Sequence, residues 1–192
     1  MRDPWNLNQV ILAEGIQIEK RYIETPVLAE VAVAAALGTV ISIVLRLYQF
    51  PSGGEITLGG MVPIILISYR RGPKIGFITG MIHGTVQLIL FPWIINPIQV
   101  IMDYILPFGC VGLAGLVKKM PTVGVVFGMF LRFICHYFSG IIFWYSVSTD
   151  AYNWGPWIYS AVYNGLYIVP ETIVSIILVY ILFQRDVLNL NL

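Results

Sequence analysis

The chain has 192 residues, of which 58% are hydrophobic and only 11% are charged, and its formal net charge is +1. A soluble domain usually contains about 25% charged residues, so the composition indicates a membrane protein and excludes a disordered chain. The small net charge offers no basic surface for nucleic acid. Cys110 and Cys135 both lie in apolar runs, which excludes a secreted disulfide scaffold.

The first segment, residues 1–25, is more polar than the rest of the chain. It lacks the run of apolar residues after a basic start that marks a cleaved signal peptide. We therefore expect a cytoplasmic or interfacial N-terminal extension over 1–25, followed by a membrane domain over 26–192.

Six apolar stretches follow, separated by turn-forming proline, glycine and charged residues. At about 20 residues for each crossing, they predict an all-α integral membrane protein with six transmembrane helices. The second stretch contains Gly59, Gly60 and Pro63 and should be kinked or irregular. The predicted helices cover 26–47, 56–69, 75–91, 98–117, 123–147 and 156–183.

The basic residues are distributed unevenly between the two sides of this bundle. Arg46 is in an opposite-side loop and Arg132 is inside the fifth helix, whereas the remaining nine of the eleven basic residues lie on the side of the N-terminus. Because cytoplasmic loops are enriched in lysine and arginine, both termini should be cytoplasmic. Loops 48–55, 92–97 and 148–155 should then face the outside.

Polar residues inside the predicted helices point to a ligand cavity. Ionisable groups within a membrane are costly and usually face a partner or a cavity. Asp103 and Asn164 are expected in the outer halves of their helices and His136 near the middle of its own, with Gly140 and Trp144 on the same face as His136. Aromatic residues accompany them on the sixth helix: Trp157, Tyr159 and Tyr163.

This combination predicts a cavity that opens outward. A carboxylate surrounded by tryptophan and tyrosine rings suits a cation, especially a flat aromatic one. Structural roles stay open for several of the residues, since Asp103 could cap its helix or pair with a neighbour, and His136 could be a packing histidine. Trp93 and Trp157 are more typical of the membrane interface, and His83 is more typical of a structural or cytoplasm-facing residue.

Glu171 and Arg132 lie inward of this cavity, and we favour a buried ion pair between them. A proton relay through these two residues and His136 is the alternative. The sequence has no G-x-x-x-x-G-K-[ST] motif, so it does not bind and hydrolyse ATP by that route.

The first helix carries a small-x-x-x-small pair, Ala32 and Ala36. Small residues let helix backbones approach closely in a membrane. The pair could pack within the chain's own bundle or dock onto another membrane subunit, and the motif alone does not separate these alternatives.

Three segments resemble a known family. They are VIMDY at 100–104, HYFSGIIFW at 136–144 and the Tyr159-Ser160-x-x-x-Asn164-Gly165 segment. Together with the six predicted helices and the alanine pair, they resemble the thiamine-specific substrate-binding subunits of energy-coupling factor transporters. The resemblance covers about residues 26–185.

The resemblance implies that Asp103 offsets the charge of the thiazolium ring. The other positions that match the thiamine pocket of the family are Tyr104, His136, Gly140, Trp144, Tyr159 and Asn164. The first outer loop of the family acts as a lid and can carry a tryptophan. Loop 48–55 has none, and its candidate replacements are Tyr48, Phe50 and Glu55.

The resemblance also implies partners, namely a transmembrane coupling subunit, contacted by Ala32 and Ala36, and two cytoplasmic ATPases. We therefore expect a high-affinity thiamine-binding subunit in the bacterial cell membrane, with no enzymatic activity, cofactor or metal. A subunit for another vitamin such as riboflavin, and a stand-alone proton-coupled permease, are the alternatives.

Overall fold

Six helices and one short β-hairpin make up the described part of the chain. The computed structural model describes residues 24–50, 53–144 and 154–185. The hairpin pairs β1, Arg46–Gln49, with β2, Glu55–Thr57, in antiparallel orientation. The helices are α1 Thr25–Val44, α2 Val62–Arg71, α3 Pro73–Leu90, α4 Pro97–Leu116, α5 Pro121–Phe143 and α6 Pro156–Gln184.

Proline marks the start of every one of these helices. A proline in the first turn loses nothing, because its missing N–H would have no partner within the helix, and its φ already suits the helix. The six prolines are Pro26, Pro63, Pro73, Pro97, Pro121 and Pro156. The predicted starts of the first and sixth helices, at residues 26 and 156, agree with two of these prolines.

The second apolar stretch is irregular, as predicted, but part of it is a strand. Residues 55–57 form β2, and Gly59 then adopts a φ of 94°, a left-handed conformation that favours glycine. The helix that follows, α2, has only ten residues and is buried along most of its length. At 1.5 Å per residue it is about 15 Å long, half the thickness of a hydrocarbon core.

Among the described residues, four helices are long and apolar enough to cross a membrane: α1, α4, α5 and α6. Their outward faces expose large apolar side chains such as Val33, Val44 and Ile173, as expected for contact with lipid. The helix α3 has eighteen residues but carries Lys74, His83 and Gln87, which lower its hydropathy. The chain is thus a mostly helical multi-pass membrane protein, and its six-span count stays a prediction.

The helices α3 and α4 pack through a glycine stripe. Gly76, Gly80 and Gly84 follow one another at intervals of four residues, and a Cβ on any of them would lie within 2.4 Å of a backbone carbonyl oxygen of α4. Spacing by four places the three glycines on one helical face. This close approach positions α4 beside the site.

The helix α4 changes its winding where it reaches the site. Residues Ile101–Ile105 form a π-helical turn, with the Leu106 N–H donating to the Ile101 carbonyl. Pro107 follows, and its missing N–H cannot bond to the carbonyl of Asp103 four residues earlier. Such π turns occur frequently at functional sites, and this one contains Asp103.

One end of the bundle is filled by the hydrophobic core. It lies where α2, α4, α5 and α6 meet, and includes the fully buried Ile64, Ile65, Val111, Val125 and Val179. The other end, built from the opposite halves of α4, α5 and α6, holds the cavity described below.

Two predicted regions fall mainly outside the described residues. These are the N-terminal extension, 1–25, and the third outer loop, 148–155.

Candidate functional site

A cavity of about 260 Å³ lies between α4, α5, α6, the hairpin and the segment after α3. Its volume is close to the lower end of typical small-molecule sites, about 300–1,000 Å³. The structure brings all seven predicted ligand-binding residues onto its wall: Asp103, Tyr104, His136, Gly140, Trp144, Tyr159 and Asn164. They come from three helices, so only the packed bundle makes them neighbours.

Asp103 is held by hydrogen-bond donors rather than by a lysine or an arginine. Gln99 Nε2 donates to Asp103 Oδ2 at 2.7 Å, and Trp144 Nε1 lies 3.5 Å from the same oxygen. His136 Nδ1 lies 3.3 Å from Oδ1. Within the described ranges no lysine or arginine forms an ion pair with Asp103. Asp103 therefore does not simply cap its helix. It pairs with a neighbouring side chain, His136 of α5, as the second structural alternative stated, and it also faces the cavity.

One ring nitrogen of His136 has a hydrogen-bond partner, and the other has none among the described residues. Nδ1 faces Asp103, whereas Nε2 is buried and has no hydrogen-bond partner in the part of the chain that the structure describes. In a neutral ring whose Nδ1–H donates to the carboxylate, Nε2 is a hydrogen-bond acceptor. His136 is thus more than a packing histidine satisfied by a carbonyl.

The side-chain amide of Asn164 forms its hydrogen bonds mainly with other residues of the protein. Its Nδ2 donates to the Ser160 carbonyl at 2.8 Å, and its Oδ1 accepts a hydrogen bond from Tyr167 at 2.6 Å. Gly140 lies opposite on α5, where a Cβ would come within 2.2 Å of Ser160 Oγ. Gly140 therefore lets α5 and α6 close around the site.

Two tryptophans line the cavity beside Tyr104. The Tyr104 hydroxyl donates to the Phe91 carbonyl at 2.9 Å and accepts from the Trp93 N–H at 3.0 Å, which fixes the segment after α3. The Trp93 ring lies 5.8 Å from that of Trp144. Trp93, expected at the membrane interface, is half-exposed and also part of the cavity wall. Trp157 is more than half exposed, in keeping with its expected place at the interface.

A tyrosine stripe on α6 forms another wall. Tyr159 and Tyr163 stack with ring centroids 5.7 Å apart, and Tyr163 meets Tyr167 edge-on at 5.9 Å. The Tyr167 ring also lies 6.0 Å from the His136 ring. Tyr167 was not among the predicted cavity residues, although its spacing of four residues from Tyr163 places it on the same helical face.

The hairpin covers the cavity as a roof. The Gly54 N–H donates to the Tyr163 hydroxyl at 3.1 Å, and the Phe50 ring packs against Tyr163 and Tyr167. Among the three candidate lid residues, Glu55 lies on the cavity wall, Phe50 packs against α6, and Tyr48 is more than half exposed. The predicted loop 48–55 is thus partly a folded hairpin, because it contains β-forming residues on either side of Gly53 and Gly54.

Glu55 is paired with a basic residue of the same hairpin. Arg46 Nε lies 2.7 Å from Glu55 Oε2, and the Arg46 guanidinium also stacks over the Phe91 ring at 4.8 Å. Burial raises the pKa of Glu55 above its ordinary value, and the nearby charge of Arg46 partly opposes this shift. The roof therefore brings a second carboxylate to the cavity, already neutralised by its partner.

The predicted ion pair between Arg132 and Glu171 is confirmed at the inner end of the cavity. Arg132 NH1 donates to Glu171 Oε2 at 2.6 Å, and both side chains are almost fully buried. Arg132 also lies on the cavity wall, with its guanidinium 4.9 Å from the Phe108 ring centroid. Thr57 of the hairpin donates to the other Glu171 oxygen at 2.5 Å.

The charges around the cavity follow from these pairs. The charged side chains on its described wall, counting aspartate, glutamate, lysine and arginine, are Glu55, Asp103 and Arg132. Glu55 is paired with Arg46, and Arg132 is paired with Glu171. With the His136 ring neutral, the carboxylate of Asp103 leaves the site with one uncompensated negative charge.

His83 has a structural role. It is fully buried, with Nδ1 3.1 Å from Thr39 Oγ1 and Nε2 3.4 Å from Gln87 Nε2. This confirms the structural interpretation and excludes a cytoplasm-facing side chain. Gln87 itself reaches the cavity wall, which the sequence pattern did not indicate.

Ala32 and Ala36 are exposed on α1. The opposite face of this helix is buried in the bundle through Val31, Ala35 and Gly38. The alanine pair is therefore not used for packing within the described part of the chain.

Comparison with known proteins gives matches over most of the chain. A family model described as thiamine transporter protein (Thia_YuaJ) matches residues 28–190. The thiamine transporter ThiT of Bacillus subtilis (strain 168) is 34% identical, with 82% of this chain and 90% of that protein covered. The thiamine transporter ThiT of Lacticaseibacillus paracasei is 28% identical, with 64% and 70% covered.

A solved structure of ThiT from Listeria monocytogenes has a similar fold. It superposes with a TM-score of 0.74 at 27% identity, covering 84% of this chain and 94% of that one. The family model matches far more than half of the sequence. Its description, a thiamine transporter protein, agrees with a membrane cavity that carries one free negative charge. The chain therefore belongs to the thiamine transporter protein (Thia_YuaJ) family, and it is a transporter rather than an enzyme.

Proposed function

We propose that this chain is the thiamine-binding subunit of an energy-coupling factor importer in the bacterial cell membrane. It captures thiamine in a cavity that opens to the outside, and partner subunits supply the energy for uptake. The observation that carries the proposal is the uncompensated charge of Asp103 in an aromatic cavity of about 260 Å³. A monovalent, flat aromatic cation balances that charge and matches those walls.

Asp103 faces the thiazolium ring in this proposal, while Trp144, Tyr104 and Tyr159 surround the ligand with aromatic surface. His136 Nε2, which has no hydrogen-bond partner among the described residues, accepts a hydrogen bond from the exocyclic amine of the pyrimidine. Gly140 and Asn164 act mainly by holding α5 and α6 together around the ligand.

A ligand panel tests the proposal by calorimetry on the purified protein. The panel contains thiamine, a neutral analogue in which a thiophene replaces the thiazolium, riboflavin and biotin. We expect tight binding of thiamine, binding of the neutral analogue weakened by about 100-fold because a charge-assisted contact is lost, and no binding of the other two vitamins. Equal affinity for thiamine and its neutral analogue would show that the charge of Asp103 does not contribute to binding.

The orientation follows from the basic residues. Six spans place both termini in the cytoplasm, on the side that carries nine of the eleven lysines and arginines. The test uses single cysteines in a variant that lacks Cys110 and Cys135. Leu47→Cys should react with an impermeant maleimide on whole cells, and Lys119→Cys only after permeabilisation. The reverse pattern contradicts the orientation.

The exposed alanine pair on α1 is proposed to contact the transmembrane coupling subunit, which in turn joins two cytoplasmic ATPases. Ala32 and Ala36 face outward and leave room for close backbone approach. Ala32→Trp and Ala36→Trp should abolish uptake in vesicles that contain all four subunits, and leave thiamine binding by the isolated chain within about twofold.

Val169→Trp and Ile173→Trp are the matched controls, because they have the same spacing of four residues, lie on a different helix, α6, and are more than half exposed. They should preserve uptake. Uptake by vesicles that contain this chain alone, driven by a pH gradient, would overturn the partnership and support a stand-alone permease.

A further inference from the structure

We propose that Glu171, Thr57 and Arg132 form a latch that couples the hairpin roof to the inner end of the cavity and slows release of the ligand. This inference rests on the proposed function, because it concerns the residence time of thiamine in the same cavity. Thr57 and Glu171 are positioning residues in it, since neither lies on the cavity wall.

The two oxygens of Glu171 serve two different parts of the molecule. Oε1 accepts a hydrogen bond from Thr57 Oγ1 in β2, and Oε2 accepts one from Arg132 NH1 in α5. Glu171 and Thr57 are each only 1% exposed. One buried carboxylate therefore connects the hairpin to the cavity wall, and moving either neighbour disturbs the other.

The Thr57 hydroxyl donates its proton to a hydrogen bond with Glu171. The Gly60 N–H lies 3.3 Å from Thr57 Oγ1 and donates to it, which leaves the hydroxyl proton for Glu171. Thr57 Oγ1 therefore accepts a hydrogen bond from Gly60 and donates one to Glu171. A carboxylate accepting from a hydroxyl in a site closed to water forms one of the stronger contacts available to a protein.

Two residues near the turn of the hairpin also contact α6. The Gly54 N–H donates to the Tyr163 hydroxyl, and the Phe50 ring packs against Tyr163 and Tyr167. These two contacts are a neutral hydrogen bond and aromatic packing, whereas the Thr57 contact is buried and involves a charge. The base of the hairpin is therefore anchored by Glu171, and Gly54 and Phe50 hold its other end against α6.

Arg132 connects the wall of the cavity to Glu171. Its guanidinium is part of the cavity wall, packed over the Phe108 ring, while NH1 holds Glu171. A ligand in the cavity limits the movement of Arg132, and through Glu171 it limits the movement of Thr57 and the hairpin. Occupancy and closure then reinforce each other, as linkage between two contacts of one group requires.

The test is the dissociation rate of thiamine from Thr57→Val, a variant that keeps the shape and loses the hydroxyl. We expect the off-rate to rise about tenfold, the change expected when a hydrogen bond to a charged group is lost, with the on-rate within about twofold. Thr57→Ser, which restores the hydroxyl, should return the off-rate to that of the wild type. Hydrogen exchange of hairpin peptides should show protection by thiamine in the wild type and not in Thr57→Val.

Thr172→Val is the matched control. Thr172 is the next residue along α6, and its hydroxyl donates to the Ile168 carbonyl within the same helix. The control should lower thermal stability without changing the off-rate. Thr57→Cys, with a weaker donor, replaces Thr57→Val in the same comparison if the valine variant does not fold.

An off-rate of the Thr57 variant within twofold of the wild type, or an equal rise in Thr172→Val, overturns the latch. Either result leaves the proposed function intact, provided that the wild type binds thiamine. Failure of the wild-type protein to bind thiamine refutes the proposed function itself.

Discussion

Asp103 and Glu171 are both acids inside the helical bundle, but their surroundings differ. Asp103 is held by Gln99, Trp144 and His136 and faces the cavity. Glu171 is paired with Arg132 and is sealed from the cavity. The outer acid has no lysine or arginine partner among the described residues, which is why we propose it as the counter-charge of the ligand, whereas the inner acid is paired with Arg132.

The role of an acid within a membrane protein therefore depends on the partner of its carboxylate. Burying an unpaired charge is costly, and a carboxylate held only by neutral donors is tolerated where a function requires it. A carboxylate paired with arginine contributes to folding, and it contributes little to the net charge of the site. The following substitutions test this division.

The largest effect is expected from breaking the inner pair. Glu171→Ala should lower the free energy of unfolding by about 3–5 kcal/mol, because Arg132 then remains charged and buried without its partner. Thermal unfolding of the purified protein measures this loss. The double variant Glu171→Met with Arg132→Leu should regain most of the stability, since an apolar pair of similar size removes both charges. A double variant as unstable as Glu171→Ala would show that the pair is not the reason.

The outer acid should affect binding and not folding. Asp103→Asn should weaken thiamine binding by about 100-fold, close to 3 kcal/mol, and leave the thermal midpoint of the ligand-free protein unchanged or higher. It should also remove the preference for thiamine over the neutral thiophene analogue. Calorimetry with both ligands measures these effects.

Glu30→Gln is the control for the outer acid, because Glu30 pairs with Arg70 and Arg71 away from the cavity. Its thiamine affinity should equal that of the wild type. If Asp103→Asn still discriminates between the charged and neutral ligands, another group supplies the counter-charge.

The smallest effect is expected for Glu55, which is paired like Glu171 and lines the cavity like Asp103. Because burial raises its pKa, Glu55 takes up a proton at a higher pH than an ordinary glutamate. Acidification then removes a negative charge and leaves Arg46 uncompensated, so a cation binds less tightly. Between pH 7.5 and 5.5 we expect thiamine affinity to fall about two- to threefold through Glu55, the size typical of a partly exposed ion pair.

Glu55→Gln isolates that contribution. Calorimetry at the two pH values should show a smaller pH dependence in the variant, and titration of thiamine itself cancels in the comparison. An unchanged pH dependence would assign the effect to a different group.

Much of the fold could be predicted from local features of the sequence. Apolar runs separated by turn-forming residues predicted six helices, and the ends of α3 and α6 agree with the prediction within two residues. The hairpin was not predicted, although β-forming residues flank Gly53 and Gly54. Its place over the cavity depends on Tyr163, Tyr167 and Glu171, which are more than 100 residues away.

The candidate site was predictable in its residue types and less so in its surroundings. The seven predicted residues all line the cavity. Six of them were indicated by their positions on the predicted helix faces, where ionisable groups stand out, and Tyr104 by the resemblance to the transporter family. Gln99 and Gln87 were not singled out, although Gln99 lies four residues before Asp103. Trp93 was expected elsewhere, because its position depends on the hydrogen bonds that Tyr104 makes with the segment after α3.

The sequence by itself determined which segments are helical and which ionisable residues they carry, because hydropathy and proline positions act locally. Only the tertiary structure decided which acid stays unpaired. The partners of Asp103 and Glu171 come from α4, α5 and the hairpin, and charge compensation depends on distances across the bundle that no local pattern contains. The composition therefore placed the chain in a membrane, and the packing left one negative charge facing the cavity.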